Sequence, residues 1–83
     1  MDAANVLDGL SLQLQRDCAD ALEALHRDQR VDGLAALADS LRALGPTYRP
    51  HGELMQVALR DGNNNAITWH LTQVLEKLEK GVA

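Results

Sequence analysis

Apolar side chains recur every three or four residues in four segments of the chain, which is the period of an α-helix with one buried face. The first segment covers residues 3–27 and aligns Leu7, Leu10, Leu14, Cys18, Ala21 and Leu25. The others cover residues 31–44, 51–60 and 65–80, with stripes made by Leu34, Leu37, Leu41 and Leu44, by Leu54, Val57 and Ala58, and by Ile67, Leu71, Val74 and Leu78. The pattern predicts an all-α fold, a small bundle of three or four helices.

Polar and helix-breaking residues separate the four segments. The run HRDQRVD at 26–32 interrupts the first pattern, and either Asp28 or Asp32 is expected to cap the second helix. Gly45-Pro46 predicts its end, and Pro50 is expected in the first position of the third helix. The run DGNNN at 61–65 predicts either a turn or a kink within one long helix from 51 to 80.

The small size of the chain limits what it can bury. Its 83 residues are expected to form one domain, 1–83, and only 2% are aromatic. A domain this short buries only about 60% of the surface that its unfolded chain exposes. The apolar content, mainly leucine and alanine, therefore predicts association with a partner or a homodimer.

Charge and composition exclude several classes of protein. The net charge is −4, and most basic residues lie beside acids rather than in a stripe, which argues against nucleic-acid binding. The acidic excess lies in residues 1–44, so that half is the one suited to a basic partner. No apolar run is long enough for a membrane span, and the first residues, MDAANVLDGL, lack the basic and apolar regions of a secretory signal, so we expect a cytoplasmic protein. Six arginines against two lysines are typical of a GC-rich bacterial source.

Few residues have a spacing that suggests chemistry. His26, His51 and His70 lack metal-ligand spacing and are interpreted as surface residues, and Cys18 lies on the apolar stripe as a core residue. The tripeptide around Ser40, Asp-Ser-Leu, matches the short motif at which acyl carrier proteins bear phosphopantetheine, although Ser40 falls inside a helical pattern. We predict no enzymatic activity, no metal and no cofactor.

Trp69 is the most informative candidate for a binding contact. It lies about 200° around its helix from the Ile67 stripe, so it is expected to face away from the bundle interior unless the 45–50 loop or the first helix covers it. Tryptophan is enriched among residues that anchor protein interfaces. The predicted partner-binding residues are Tyr48, Trp69, Leu71, Leu75 and Leu78.

Residues 54–65, LMQVALRDGNNN, resemble the start of the C-terminal helix of FlgN-type flagellar and type III secretion chaperones. Leu54, Met55, Gln56, Ala58, Arg60 and Asn64 stand at positions of the family pattern, whereas Asp61 and Asn65 depart from it. The resemblance implies binding of an amphipathic helix from an export substrate, with residues 66–80 as the docking helix.

The leading hypothesis is therefore a helical adaptor or secretion-type chaperone that buries the amphipathic helix of a partner protein. The alternatives are a small regulator that sequesters a transcription factor or an enzyme, an acyl-carrier-like protein modified at Ser40, and a homo-oligomer that builds an assembly.

Replacing the tryptophan tests the predicted contact. Trp69→Ser is expected to weaken partner capture and to leave the helical signal in circular dichroism nearly unchanged, because the residue faces away from the interior. Loss of helical signal in this variant would place Trp69 in the core instead.

Overall fold

The fold consists of four helices joined by short connections. The computed structural model describes the backbone of residues 3–81 and the side chains of residues 12–81, and no strand occurs within them. The helices are α1 (Ala3–His26), α2 (Leu34–Leu44), α3 (Arg49–Asp61) and α4 (Asn64–Glu79). The all-α prediction is confirmed. Leu7 and Leu10 of the predicted first stripe lie outside the described side chains.

The connection between α1 and α2 departs most from the prediction. α1 ends at His26, and the chain turns away from it at Asp28, whose φ of 58° is left-handed. The Gln29 amide donates to the Ala24 carbonyl at 2.8 Å and closes this turn. The residue before α2 is Gly33, with φ 84° and no side-chain cap. The expected aspartate cap is therefore wrong, because Asp28 ends one helix and glycine supplies the left-handed backbone that begins the next.

A tight turn joins α3 to α4 and replaces the alternative of one continuous helix. Gly62 is left-handed at φ 69°, and the Asn63 amide donates to the Ala58 carbonyl at 2.8 Å. The Asn63 side chain then accepts from the Ala66 amide at 3.1 Å and caps α4. Pro50 is the second residue of α3, where its missing amide hydrogen costs no helical bond.

The helices pack as a ring that is open along one side. α1 packs on α4, α4 on α3 and α3 on α2, whereas contact between α1 and α2 is sparse. The core between them is formed by Cys18, Ala21, Leu34, Leu37, Ala38, Leu41, Tyr48, Met55, Ala58, Ile67, Leu71, Val74 and Leu78. Because α1 and α2 are neighbours in sequence but scarcely touch, the ring leaves a cleft between them.

α2 and α3 approach most closely at Gly52. A β-carbon at this position would lie 2.5 Å from the Ala38 carbonyl oxygen and 3.0 Å from the Arg42 amide nitrogen. On the outer side of the contact, Arg42 donates to the Gln56 side chain, which in turn donates to Asp39. The absence of a side chain at residue 52 is therefore what lets the two helix backbones come together.

Adding one methyl group at this contact is expected to destabilise the fold. Gly52→Ala should lower the free energy of unfolding by about 1–3 kcal/mol, because the clash is with backbone atoms and outweighs the better helix propensity of alanine. Urea titration followed by circular dichroism measures the change. Glu53→Ala, at an exposed neighbour on the same helix, should change it by less than about 0.5 kcal/mol. Equal stability of Gly52→Ala and the wild type would contradict the close approach.

Candidate functional site

The open side of the ring is a cleft between α1 and α2. It contains two adjoining hollows of about 470 and 360 Å³, which share Asp17 and Ser40. The first hollow reaches toward the connection at Arg30–Gly33, and the second runs along α1 and α2 toward Gln13 and Leu44. Together they form a groove that follows the length of α2.

Small and apolar side chains line the floor of this cleft. The alanines on its walls are Ala21, Ala24, Ala36 and Ala43, and the larger apolar residues are Leu14, Val31, Leu34, Leu37 and Leu44. Alanines on both helices cannot bridge the gap that the ring leaves, and this explains why the cleft stays open. Leu34 and Leu37 belong to the core, whereas the half-buried Leu14, Val31 and Leu44 offer an apolar surface to a further side chain.

The rim of the cleft is acidic. Asp17 and Asp20 project from α1, and Asp32 lies at the end near the connection. Among the residues from 12 to 81 that line it, the basic one is Arg30, which forms an ion pair with Asp32 at 3.3 Å, and both side chains are almost fully exposed. Asp17 and Asp20 are therefore left to give the α1 wall a negative charge.

A second cluster lies across the α3–α4 seam, on the opposite side of the ring. The Nδ1 atom of His51 on α3 lies 3.0 Å from the Nδ1 atom of His70 on α4, and its Nε2 atom lies 3.0 Å from the Lys77 ammonium. The Trp69 ring meets the His70 ring edge-on, with centroids 4.9 Å apart. His51 thus sits between two groups that are two turns apart on α4.

The chemistry of these atoms fixes where the protons are. An ammonium only donates hydrogen bonds, so Lys77 donates to a bare Nε2 of His51. His51 then carries its proton on Nδ1 and donates it to a bare Nδ1 of His70. Both imidazoles are neutral in this arrangement. Accordingly, burial together with the charges of Lys77 and His70 lowers the pKa of His51, and burial lowers the pKa of His70.

The five predicted partner-binding residues do not share one surface. Trp69 is 56% exposed, so the expectation that it faces away from the interior is confirmed. Tyr48, Leu71 and Leu78 lie in the protein's own core, so a partner cannot contact them in this conformation, and burial raises the pKa of the Tyr48 phenol. Leu75 is half-buried against the core. A chain this short uses these large side chains to build its own interior.

The other chemically suggestive residues take structural positions. The Ser40 hydroxyl donates to the Ala36 carbonyl in the middle of α2, rather than at the start of a helix where a carrier protein has its serine. Cys18 is fully buried, as predicted for a core residue. His26 is exposed at the end of α1.

The interpretation of all three histidines as surface residues missed the His51–His70 pair. The two residues are 19 positions apart, and only the helical hairpin brings them together. With the turn at 62–63, residue 51 lies opposite residue 74, and His70 and Lys77 are one turn to either side of it. The run DGNNN was the available signal, because a turn there predicts this register.

Two kinds of site are absent from the described part of the chain. No three histidine, cysteine, aspartate or glutamate side chains within it are placed to hold a metal ion. None of its helices combines the length and the apolar character that crossing a bilayer requires.

The buried cysteine gives a direct test of the core. Burial, with a smaller effect of Asp17, raises the pKa of Cys18 to about 12. At pH 8 only about one thiol in ten thousand is then ionised, so a disulfide reagent is expected to react at least about a thousandfold more slowly with the native chain than with the chain in guanidinium. Absorbance after addition of the reagent measures both rates. Similar rates for the two states would show that Cys18 is accessible.

No protein-family model, curated protein or solved structure matches this chain. A small helical bundle does not by itself imply an activity, because unrelated functions use this architecture. The two candidate functional features are therefore the α1–α2 cleft and the cluster of His51, His70 and Lys77 between α3 and α4.

Proposed function

We propose that this chain is a protein-interaction module that binds one amphipathic helix of a partner protein in the α1–α2 cleft. The observation that supports this most strongly is the open side of the ring, where the half-buried Leu14, Val31 and Leu44 line a groove between α1 and α2. A helix laid into an apolar groove is a recurring mode of peptide recognition. In this role the protein acts as an adaptor or chaperone that keeps the partner's apolar face out of water.

The length of the cleft defines the length of the bound segment. α2 has 11 residues, which corresponds to about 16 Å of helix. A partner helix of about three turns would therefore contact the whole groove. Its apolar side chains would pack on Leu14, Val31 and Leu44, in the space that the small side chains of Ala36 and Ala43 leave open.

The charge of the rim defines the flanks of that helix. Asp17 and Asp20 lie along one wall, so lysine or arginine beside the partner's apolar stripe would face them. Exposed ion pairs contribute only about 0.2–1 kcal/mol each. Apolar burial would therefore supply most of the affinity, and the aspartates would select the partner's charge and orientation.

Two synthetic helical peptides of about 18 residues test the charge selection. They share one leucine stripe and differ only in having lysine or glutamate on its flanks. Fluorescence anisotropy of labelled peptide is expected to show at least about tenfold tighter binding of the lysine peptide, with the difference shrinking in high salt. Binding of neither peptide, or equal binding of both, would contradict the proposal.

Substitutions in the cleft locate the binding site. Asp17→Lys with Asp20→Lys is expected to weaken binding of the lysine peptide about tenfold, whereas Glu53→Lys with Asp61→Lys makes the same change of net charge away from the cleft and should have little effect. Ala36→Gln, which fills the groove, should weaken both peptides while the helical signal stays constant.

The exposed Trp69 makes the α3–α4 side of the ring a second candidate surface for binding a partner helix. If Trp69→Ser abolishes binding and the cleft variants do not, the contact lies on the α3–α4 side. A change of oligomeric state in the cleft variants, measured by sedimentation, would instead identify a second copy of this chain as the occupant and would support the expected homodimer.

The roles of secretion chaperone and regulator use the same groove and differ only in the partner. Affinity capture at native expression distinguishes them. An exported protein as the dominant partner would support the chaperone role that the FlgN-type resemblance implies, and a transcription factor or enzyme would support the regulator.

A further inference from the structure

We propose that the chain of hydrogen bonds through Lys77, His51 and His70 makes the α3–α4 hairpin acid-sensitive, so that proton uptake below about pH 6.5 separates the two rings and loosens the face that carries Trp69. The observations behind this inference are separate from those on the cleft, because they concern the geometry of three side chains on the opposite side of the ring.

The first added proton cannot be accommodated without breaking the chain. His51 has one bare nitrogen, Nε2, and that atom faces the Lys77 ammonium at 3.0 Å. His70 has one bare nitrogen, Nδ1, and that atom faces the proton on Nδ1 of His51 at 3.0 Å. Protonation of either ring therefore replaces a hydrogen bond with two donors that face each other, and protonation of His51 also places positive charge beside the Lys77 ammonium.

No neighbouring carboxylate offsets this charge within residues 12–81. The groups whose positive charge disfavours protonation of His51 are the Lys77 ammonium of α4 and His70, once its own imidazole takes up a proton. Glu53 on α3 and Glu76 on α4 are exposed, and neither forms an ion pair with either ring. α1 and α2 pack on the other sides of the hairpin helices, and no ion pair joins them to the cluster.

The sign of the pH effect follows from these positions. The native state holds both imidazoles neutral, with pKa values lowered from the ordinary 6.5, whereas the unfolded chain takes up protons at that ordinary value. Stability is therefore independent of these groups above pH 6.5 and falls as the pH drops below it. The folding equilibrium constant decreases by up to about tenfold per pH unit for each proton taken up.

Trp69 is the only tryptophan of the chain and lies against His70, so its emission reports on this cluster alone. The test is a titration of the full chain from pH 8 to pH 5, with EDTA present, in which Trp69 emission and the urea midpoint of unfolding are measured. We expect a reversible emission change below pH 6.5 and a falling urea midpoint over the same range. A midpoint and an emission that stay constant over this range would overturn the proposal.

Matched variants assign the effect to these residues. His26→Gln removes the one other histidine and should leave the titration unchanged, whereas His51→Gln with His70→Gln should remove the histidine-dependent part of it. Lys77→Met retains the pair without its cation and should move the transition to higher pH. Persistence of the full transition in the double variant, or its loss in His26→Gln, would overturn the proposal.

A measurement on the wild type keeps the test decisive if the double variant fails to fold. Nitrogen chemical shifts of the imidazoles at pH 8 should show the proton on Nδ1 of His51 and on Nε2 of His70. The opposite tautomers, or two averaged rings, would mean that the chain of hydrogen bonds does not form and would overturn the proposal.

Discussion

The close approach of α2 to α3 at Gly52 determines how the other helices are arranged. With only a hydrogen atom at residue 52, the backbone of α3 reaches the Ala38 carbonyl and the Arg42 amide of α2. α2 therefore packs closely on α3. The short loop that joins these two helices places the Tyr48 side chain in the core. α1, which follows the other side of the core, packs on α4 instead. The cleft between α1 and α2 is the space that this division leaves.

Small side chains therefore have two opposite effects in this molecule. Where alanine or glycine on one helix meets backbone of another, as at Ala38 and Gly52, the helices come together. Where alanines face alanines across a gap, as Ala24 and Ala36 do, nothing fills the space and the floor beneath remains accessible. The same composition yields close packing on one side of α2 and a binding groove on the other.

Much of the architecture could be predicted from sequence, because it depends on local physics. The helical period located all four helices, and Gly45-Pro46 ended α2 as expected. The run DGNNN left a turn and a kink open, and the left-handed Gly62 decided for the turn. The predicted aspartate cap was wrong, because an aspartate can either cap a helix through its side chain or adopt the left-handed backbone that ends one. Asp28 does the second, and Gly33 stands at the start of α2.

The surfaces were less predictable, because they depend on which helices become neighbours. Leu71, Leu78 and Tyr48 are apolar enough to bind a partner, but the helices of this small bundle bury them against one another. The exposure of Trp69 followed from its angle on one helix and was correctly expected. The His51–His70 contact depends on the register of two helices, and the cleft depends on a pair of helices that fail to meet.

The arrangement of the helices as an open ring affects how a bound partner helix would change the width of the cleft. α1 contacts α2 only sparsely and packs on α4, which packs on α3, so the three other helix–helix seams contribute most to the width of the cleft. A partner helix wider than the cleft would push its walls apart, and all three seams would oppose this, among them the α3–α4 seam where His51 and His70 meet. A partner helix that strains this seam would raise the affinity of the imidazoles for protons. By thermodynamic reciprocity, protonation of the imidazoles would raise the affinity of the cleft for that helix.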